Sequence, residues 1–233
     1  MSEVNKAITD LRKLSDPEKI PIYQNFFKTS PGSYGEGDVF IGVSVPNTRK
    51  VAKKYMEINL GLIEKLLESK IHEGRLLGVL ILVEKYQETN DNKIAEFYKK
   101  HNSKINNWDL VDLSADKILG KYYLNNQNKI SDLYKLAKSK NLWERRTSIV
   151  STFHFIKNNR FEDTLKISKI LFNDDHDLIH KAVGWMLREI GKRDKKILVN
   201  FLNENHKFMS RTTLRYATEK FPKKERKIYL KKS

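Results

Sequence analysis

A chain of 233 residues with 39% hydrophobic residues can bury a sizeable core, which excludes an intrinsically disordered protein. It has no cysteine, so disulfides, zinc–thiolate sites and cysteine nucleophiles are excluded, and we expect a reducing, cytoplasmic location. Lysine and arginine number 45 against 29 acids, and the net charge of +16 favours a nucleic acid as partner. No signal peptide and no apolar run of roughly 18 residues is evident, so we expect no membrane partner.

Apolar residues recur with helical spacing along almost the whole chain, and this predicts an all-α protein. Helices are expected near residues 3–14, 17–28, 46–57, 60–69, 72–88, 91–101, 107–123, 128–139, 142–157, 161–172, 177–191, 195–204, 208–220 and 223–231. The linkers between them are short. Consecutive helices are therefore expected to pack as antiparallel neighbours.

Residues 29–46, TSPGSYGEGDVFIGVSVP, interrupt the helical pattern. They hold four of the ten glycines, two prolines and a β-favouring run at residues 39–41. This composition predicts a glycine turn with a short hairpin or an ordered loop. A phosphate-cradling loop is a competing interpretation, but no Gly-Lys-Ser/Thr follows and no strand-to-helix context is evident.

The later helices contain an internal repeat. Segments that begin at Arg75, Leu110, Arg145 and Lys181 align with offsets of 35, 35 and 36 residues. Three of the four also carry a small residue three positions on, namely Gly78, Ser148 and Gly184. This period is typical of two-helix repeats that stack into a curved solenoid with a concave binding groove, so we expect one domain over residues 1–233.

The segment INNWDLVDLSADKILG, residues 105–120, places acids in a basic chain. Trp108 and Asp112 are four residues apart and share one face of the predicted helix. They form either a small functional surface or a core tryptophan with an aspartate that caps a helix or pairs with an arginine. Asp109 and Asp116 are expected to lie on a solvated stripe.

Two later segments combine tryptophan with arginine. In WERRTSIV, Trp143 precedes Arg145 and Arg146, and in VGWMLREIG, Trp185 and Arg188 are three residues apart. Arginine beside an exposed aromatic ring suits a nucleic-acid backbone, because the guanidinium binds phosphate and the indole offers a flat face to sugar or base. For Trp143 a core position is the favoured interpretation.

His176 and His180 lie four residues apart on a predicted helix, a spacing that can hold zinc. The glutamate of an H-E-x-x-H motif is missing between them, and no third ligand is in register. We therefore expect no metal site and no organic cofactor.

The segments NNWDLVD, WERRTSIV and VGWMLREIG, in this order and with these separations, resemble the motifs of the AlkD-type DNA alkylation repair family. The resemblance covers essentially the whole chain. It implies a C-shaped solenoid of HEAT-like repeats whose basic concave face holds duplex DNA. In active family members, hydrolysis of the N-glycosidic bond releases cationic alkylpurines such as 3-methyladenine and 7-methylguanine, without a pocket for a flipped base.

The resemblance also implies roles for individual residues. Trp108 and Trp185 match the tryptophans that flank the deoxyribose of the lesion, and Asp112 matches the catalytic carboxylate. Arg146 matches an arginine that holds the backbone, and Arg188 falls where a further DNA contact is expected. A fixed carboxylate suits this reaction because it stabilises an oxocarbenium-like sugar and can orient water.

One departure from the family pattern puts catalysis in doubt. Active members have an additional helix near the N-terminus that lines the lesion site, and the glycine-rich loop takes its place here; Tyr34 is a candidate to replace a lost aromatic wall. Three functions stay open: an alkylpurine glycosylase, a non-catalytic binder of distorted or branched DNA, and a protein-interaction scaffold. We expect a monomer that binds double-stranded DNA, damaged or branched, and is nucleoid-associated when bound.

Overall fold

The computed structural model describes residues 2–231, and their regular secondary structure is helical apart from one isolated β-bridge between Val39 and Ile71. The prediction of an all-α chain is confirmed. The chain divides into two compact units, of which the first ends at Ser114 and the second begins at Ala115. That the two units work as one domain stays a prediction. None of the helices within residues 2–231 has the length and apolarity that crossing a membrane requires.

The first unit consists of seven α-helices and one 3-10 turn in its described part. They are α1 (Glu3–Arg12), α2 (Lys19–Phe26), α3 (Val45–Lys54), α4 (Leu60–Leu67), α5 (His72–Thr89), α6 (Asn92–Lys100), the 3-10 turn Asn102–Lys104 and α7 (Trp108–Ser114). Helix α5 lies at the centre of this unit, against α3, α4 and α7. Its residues 72–83 are all buried, so the polar side chains among them need partners inside the protein.

The second unit begins with a π-helical turn, Asp116–Gly120. It continues with α8 (Lys121–Asn125), the 3-10 turn Gln127–Lys129, α9 (Ser131–Ala137), α10 (Leu142–Ser151), α11 (Phe153–Lys157), α12 (Glu162–Ile170), α13 (Asp177–Arg193), α14 (Lys195–Asn205), the 3-10 turn His206–Phe208, α15 (Arg211–Ala217) and α16 (Lys223–Leu230). Helix α13 packs against α10, α14 and α15. The described helices match the predicted ones closely in position.

Two predicted helices are interrupted. The helix expected at residues 107–123 contains the π-helical turn, in which the Gly120 N–H donates to the Ala115 carbonyl at 2.9 Å. Gly120 packs tightly against α10, since a Cβ at this position would lie 2.3 Å from the Ser151 carbonyl oxygen. The helix expected at residues 142–157 breaks at Thr152, whose hydroxyl donates to the Ile149 carbonyl at 2.7 Å.

The repeat is visible in the hydrogen bonds that precede α5 and α10. The hydroxyl oxygens of Ser69 and Ser139 accept the N–H two residues further on, at 3.1 and 3.0 Å. The carbonyl oxygens of the same serines accept from the guanidinium groups of Arg75 and Arg145, at 2.9 and 3.1 Å. The same turn thus begins the corresponding helix of each unit, as the repeat in the sequence predicted.

The glycine-rich segment is an ordered loop between α2 and α3, without a hairpin. Val39 pairs with the turn before α5: its N–H donates to the Lys70 carbonyl at 3.2 Å, and its carbonyl accepts from the His72 N–H at 2.8 Å. At the end of the loop, Gly42 has a positive φ of 78°, and a Cβ there would lie 2.1 Å from the Asp16 carbonyl oxygen. Only glycine fits this close approach.

Candidate functional site

A cleft of about 350 Å³ opens in the first unit among α2, the glycine-rich loop, α5 and α7. Five aromatic side chains line it: Tyr23, Phe26, Phe27, Phe40 and Trp108. Three carboxylate residues also belong to its wall, namely Glu73, Asp109 and Asp112. The accessible surface of the cleft is nevertheless almost wholly apolar, so its polar atoms lie mostly behind the aromatic and aliphatic groups.

Four rings of the cleft pack against one another, and Phe27 also lies 5.0 Å from the imidazole of His72 with 41° between planes. Trp108 lies on Phe27 with 5.1 Å between ring centroids and 14° between planes, and Phe27 lies on Phe40 at 5.0 Å and 23°. Phe40 lies in turn on the imidazole of His72 at 4.5 Å and 23°. We call these four residues the ring stack. Phe26 meets Trp108 edge-on at 5.4 Å and is 60% exposed, so aromatic surface stays open to solvent at the cleft.

Behind the ring stack lies a buried group of charges, which we call the His72 cluster: Asp38, His72, Arg75 and Asp109. The imidazole contacts Asp38 Oδ2 through Nδ1 at 3.2 Å and Asp109 Oδ2 through Nε2 at 2.8 Å. Arg75 Nη2 donates to the other oxygen of Asp38 at 2.6 Å. Since ionised carboxylates only accept hydrogen bonds, both ring nitrogens must carry a proton to donate to them.

Charge attraction determines the ionisation of this cluster. Burial alone would lower the pKa of His72, but the charge of Asp109 and hydrogen bonds to Asp109 and Asp38 outweigh it and raise the pKa to about 9. Burial would raise the pKa of Asp38, and the hydrogen bond from His72 and the charge of Arg75 lower it instead. His72 is therefore a buried cation at neutral pH, held between two carboxylates.

Glu73 fastens the end of the glycine-rich loop to α5. Its carboxylate accepts the backbone N–H groups of Ile41, Gly42 and Val43 at 3.1, 2.9 and 3.2 Å. Buried N–H groups in an irregular segment need acceptors, and one carboxylate supplies them for three consecutive residues. The loop that carries Phe40 is thereby held against the cleft.

The two residues predicted at the heart of the site, Trp108 and Asp112, both line the cleft, and Trp108 is half-buried in the ring stack. The expectation that Asp109 and Asp116 lie on a solvated stripe is wrong. Asp109 is only 7% exposed within the His72 cluster, and Asp116 is 3% exposed and pairs with Lys157 at 2.6 Å. Their partners are distant in sequence, so the spacing of acids along one helix could not show them.

Tyr34 lies in the glycine-rich loop and is half-buried. Its hydroxyl donates to the Phe26 carbonyl at 3.5 Å, but Tyr34 is not among the described residues that line the cleft. Phe27 and Phe40, which the sequence did not single out, belong to the aromatic wall of the cleft, and a role of Tyr34 toward DNA stays a prediction.

The remaining predicted aromatic residues lie in the second unit. Trp185 is half-buried on α13, with its ring 5.7 Å from that of Phe153. Trp143 is 8% exposed on α10, which confirms its interpretation as a core residue.

Each of the three arginines predicted to hold DNA has an acceptor within the second unit. Arg145 pairs with Asp174, Arg146 with the Leu178 carbonyl, and Arg188 with Glu219. The contact of Arg145 is bidentate, at 2.5 and 3.3 Å, and Arg146 is 5% exposed with its hydrogen bond at 2.6 Å. These contacts fix the positions of the guanidinium groups, and their roles toward DNA stay predictions.

The histidine pair has structural contacts. The N–H of Leu178 donates to His176 Nδ1 at 3.1 Å, which caps α13, and His180 Nε2 contacts the Asp174 carbonyl at 2.5 Å. Within the described part of the chain, no group of three or more histidine, cysteine, aspartate or glutamate side chains is placed to hold a metal ion.

The sequence reasoning missed His72, Asp38 and Asp109 as members of one cluster. A signal was present: His72, Glu73 and Arg75 begin the helix whose following residues are the most apolar in the chain. Polar groups in so buried a helix require partners, but those partners lie 34 and 37 residues from His72. A single sequence offers no rule that would pair them.

Several solved structures have the same fold. A predicted DNA alkylation repair enzyme from Enterococcus faecalis superposes with a TM-score of 0.72 at 16% identity, over 90% of this chain and 97% of that one. AlkD2 from Streptococcus mutans gives 0.56 at 19% identity, over 89% and 99%. The protein smu.31 from Streptococcus mutans UA159 gives 0.55 at 20% identity, over 75% and 90%. At these identities the likeness shows the fold, an all-α solenoid of HEAT-like repeats.

No curated protein matches the sequence. The family model for the DNA alkylation repair enzyme matches residues 7–221, which is nearly the whole chain. The three motifs around Trp108, Arg146 and Trp185 all lie inside this match. The chain belongs to the DNA alkylation repair enzyme family.

Proposed function

We propose that this protein binds double-stranded DNA and hydrolyses the N-glycosidic bond of cationic N3- or N7-alkylpurines. One observation carries the proposal: Trp108 and Asp112 line the same apolar cleft, in a chain whose net charge is +16. Membership of the DNA alkylation repair family supports a role in repair. A carboxylate beside the anionic DNA backbone is unfavourable unless positive charge develops near it, as it does when a glycosidic bond breaks.

In this mechanism Asp112 stabilises the oxocarbenium-like sugar and orients the attacking water. The apolar wall around it strengthens the interaction, because charges attract more strongly where water is excluded. Trp108 and Trp185 pack on the deoxyribose. Loss of one fixed electrostatic group of this kind costs about 100-fold to 1000-fold in rate in measured enzymes, so catalysis by Asp112 is testable with a single substitution.

Arg145, Arg146 and Arg188 hold the DNA backbone in this proposal. A guanidinium carries five N–H donors, so an arginine that already pairs with a carboxylate or carbonyl can also contact phosphate. The side chains of Arg145 and Arg188 keep 19% and 18% of their surface exposed. The protein would act as a monomer in the cytoplasm, on nucleoid DNA, without a metal or an organic cofactor.

The deciding experiment is single-turnover excision from a duplex that contains one 7-methylguanine. The parent protein is compared with Asp112→Asn and with Asp175→Asn, a matched change at an exposed aspartate of the second unit. We expect release of the base by the parent and by Asp175→Asn, and a rate at least about 100-fold lower for Asp112→Asn. Equal rates for the two variants would remove Asp112 from the mechanism.

Binding is measured separately from excision, by titrating an undamaged duplex at several salt concentrations. A protein that neutralises several phosphates loses affinity steeply as salt rises, because condensed counterions are released. We expect such a slope, and lower affinity for Arg188→Gln. A flat salt dependence with weak binding would favour the protein-interaction scaffold instead.

A second candidate function is non-catalytic binding of distorted or branched DNA. The glycine-rich loop favours it, since Glu73 and the His72 cluster hold this loop firmly beside the exposed ring of Phe26. Competition between a four-way junction and a plain duplex distinguishes the two functions. Preference for the junction together with absence of excision by the parent protein would select the binder.

A further inference from the structure

Trp185 is the tryptophan of the second unit that the proposed function places on the deoxyribose. It is half-buried, so part of the indole lies at the surface of α13. A ring in such a position has to be held if it is to meet a sugar in one orientation. Its aromatic neighbour is Phe153, the first residue of α11, with 5.7 Å between ring centroids and 50° between planes.

We propose that Phe153 and Lys157 are positioning residues for Trp185, which fix the indole in the orientation that packs on the deoxyribose. The inference rests on the proposed function, since that function gives Trp185 its contact with the sugar. It adds two side chains of α11 that act through the indole rather than through contacts of their own with DNA.

The first argument is that cations hold the ring of Phe153. Lys157 lies four residues further along α11, and its Nζ is 4.2 Å from the centroid of the ring. The guanidinium carbon of Arg193, on α13, is 5.9 Å from the same centroid. Cations within about 6 Å of a ring centroid are attracted by the quadrupole of the ring. Contacts with two cations and with Trp185 together restrict the position of Phe153.

The second argument is that both cations are anchored by carboxylate residues. Lys157 Nζ contacts the buried Asp116 through Oδ2 at 2.6 Å. Arg193 Nη1 donates to the Glu189 carbonyl at 3.1 Å and lies 3.6 Å from the carboxylate of the same residue, which is also buried. A long cationic side chain at a surface samples many rotamers, and pairing with a buried acid removes much of that freedom. The ring of Phe153 therefore lies between groups of fixed position.

The third argument is that both interruptions of the predicted helices lie at these contacts. Asp116 begins the π-helical turn that interrupts one of them, and Phe153 follows the break at Thr152 in the other. π-helical turns are rare and are frequently found at functional sites. The two irregularities thus place a buried carboxylate and an aromatic ring in one series of contacts that ends at Trp185.

The first test measures the order parameter of the Trp185 indole N–H by nitrogen relaxation in the free protein, so it needs neither DNA nor catalysis. Lys157→Gln removes the cation, and Phe153→Leu removes the ring. Lys166→Gln is the matched control, because this exposed lysine of the second unit also pairs with an acid, Glu162. We expect the order parameter to fall in the first two variants and to stay unchanged in the control.

The second test measures single-turnover excision of 7-methylguanine at saturating protein, beside the affinity for an undamaged duplex. We expect the rate to fall about tenfold in Lys157→Gln and in Phe153→Leu, because a displaced indole no longer orients the sugar. The affinity and its salt dependence should not change. Lys157→Arg keeps a cation on α11 and should restore the rate.

Three results would overturn the inference. One is an unchanged Trp185 order parameter in Lys157→Gln, and another is excision by this variant at the parent rate. The third is a smaller salt dependence of binding in Lys157→Gln, which would show that Lys157 contacts phosphate itself. If Phe153→Leu does not fold, Lys157→Gln still decides the matter, since the Lys157 side chain is 40% exposed.

Failure of this inference is distinguishable from failure of the proposed function. Excision by the parent protein and by both variants at one rate would leave the glycosylase and remove the positioning role. If the parent protein releases no base, the proposed function fails. The order parameters then decide alone whether Phe153 and Lys157 fix the indole of Trp185.

Discussion

Arg75 and Arg145 occupy the same position of the repeat, but the groups that surround them differ. Each begins a central helix, donates to a serine carbonyl in the preceding turn and pairs with an aspartate. In the second unit the aspartate, Asp174, precedes the next helix, and the pair ties one repeat to the next. In the first unit the aspartate, Asp38, comes from the glycine-rich loop. Asp38 also contacts His72, whose imidazole contacts Asp109 on its other side.

This difference shows that equivalent residues of the repeat have different partners in the two units. The repeated arginine supplies a donor in both units, and in the first unit the acid of the glycine-rich loop accepts from it. Burial differs accordingly: the Arg75 and Asp38 side chains are 6% and 8% exposed, whereas Arg145 is 19% exposed. The first unit thus concentrates charge behind an aromatic cleft, where the second keeps a simple ion pair.

The largest expected effect separates these two ion pairs. Arg75→Met leaves Asp38 buried without its guanidinium, and we expect a loss of about 3–5 kcal/mol in the free energy of unfolding, as for other broken buried pairs. Arg145→Met should cost less, because its side chain is more exposed and water can reach the site. Urea denaturation of both variants measures the difference. Equal losses would mean that the His72 cluster adds nothing to the repeated pair.

A second prediction concerns pH and belongs to the first unit alone. The pKa of His72 is about 9 in the folded protein and near 6.5 in an unfolded chain, so the folded state binds this proton more tightly. The stabilisation is complete below about pH 6.5 and is lost as pH rises through about 9, at up to about 1.4 kcal/mol per pH unit. Urea denaturation between pH 6 and 9.5 should show this decline.

The decline should disappear in His72→Gln and persist in His206→Gln, which changes a histidine of the second unit. The charged groups around His72 are Asp38, Asp109 and Arg75. Parallel pH profiles for the parent protein and His72→Gln would contradict the assignment of the buried cation.

Periodicity explains why the fold was predictable from the sequence. The apolar spacing that marks α5 and α13 follows from the need of each helix to bury one or more faces, and that need is local. The repeat offset likewise aligns Arg75 with Arg145, and both donate to a serine carbonyl in equivalent turns. The motif around Trp108 and Asp112 placed both residues on one helix face, and both line the cleft.

The rest of the site depends on contacts between residues that are far apart in the sequence, and such contacts cannot be identified from a single sequence. Asp38 meets His72 across 34 residues, and Asp109 meets it across 37. Asp109 was expected in solvent because only its neighbours along the helix were visible. Phe27 and Phe40 gave no signal at all, since their position in the ring stack depends on the path of an irregular loop.

The smallest expected effect tests whether the glycine-rich loop is held at its C-terminal end, near Gly42, or nearer its middle, at Gly37. Gly42 and Gly37 both have positive φ, 78° and 82°, so alanine at either position carries a backbone strain of about 1–2 kcal/mol. At Gly42 the new Cβ would also lie 2.1 Å from the Asp16 carbonyl oxygen, whereas nothing lies within 4 Å at Gly37. We therefore expect Gly42→Ala to destabilise the protein by about 2 kcal/mol or more and Gly37→Ala by about 1 kcal/mol.

Hydrogen exchange at residues 41–43 should accelerate in Gly42→Ala alone, because displacement of this end of the loop would release the three N–H groups from Glu73. Similar losses of unfolding free energy and similar exchange rates in both variants would mean that the contact with Asp16 does not position the loop. The His72 cluster would then be the group that holds the loop beside the cleft.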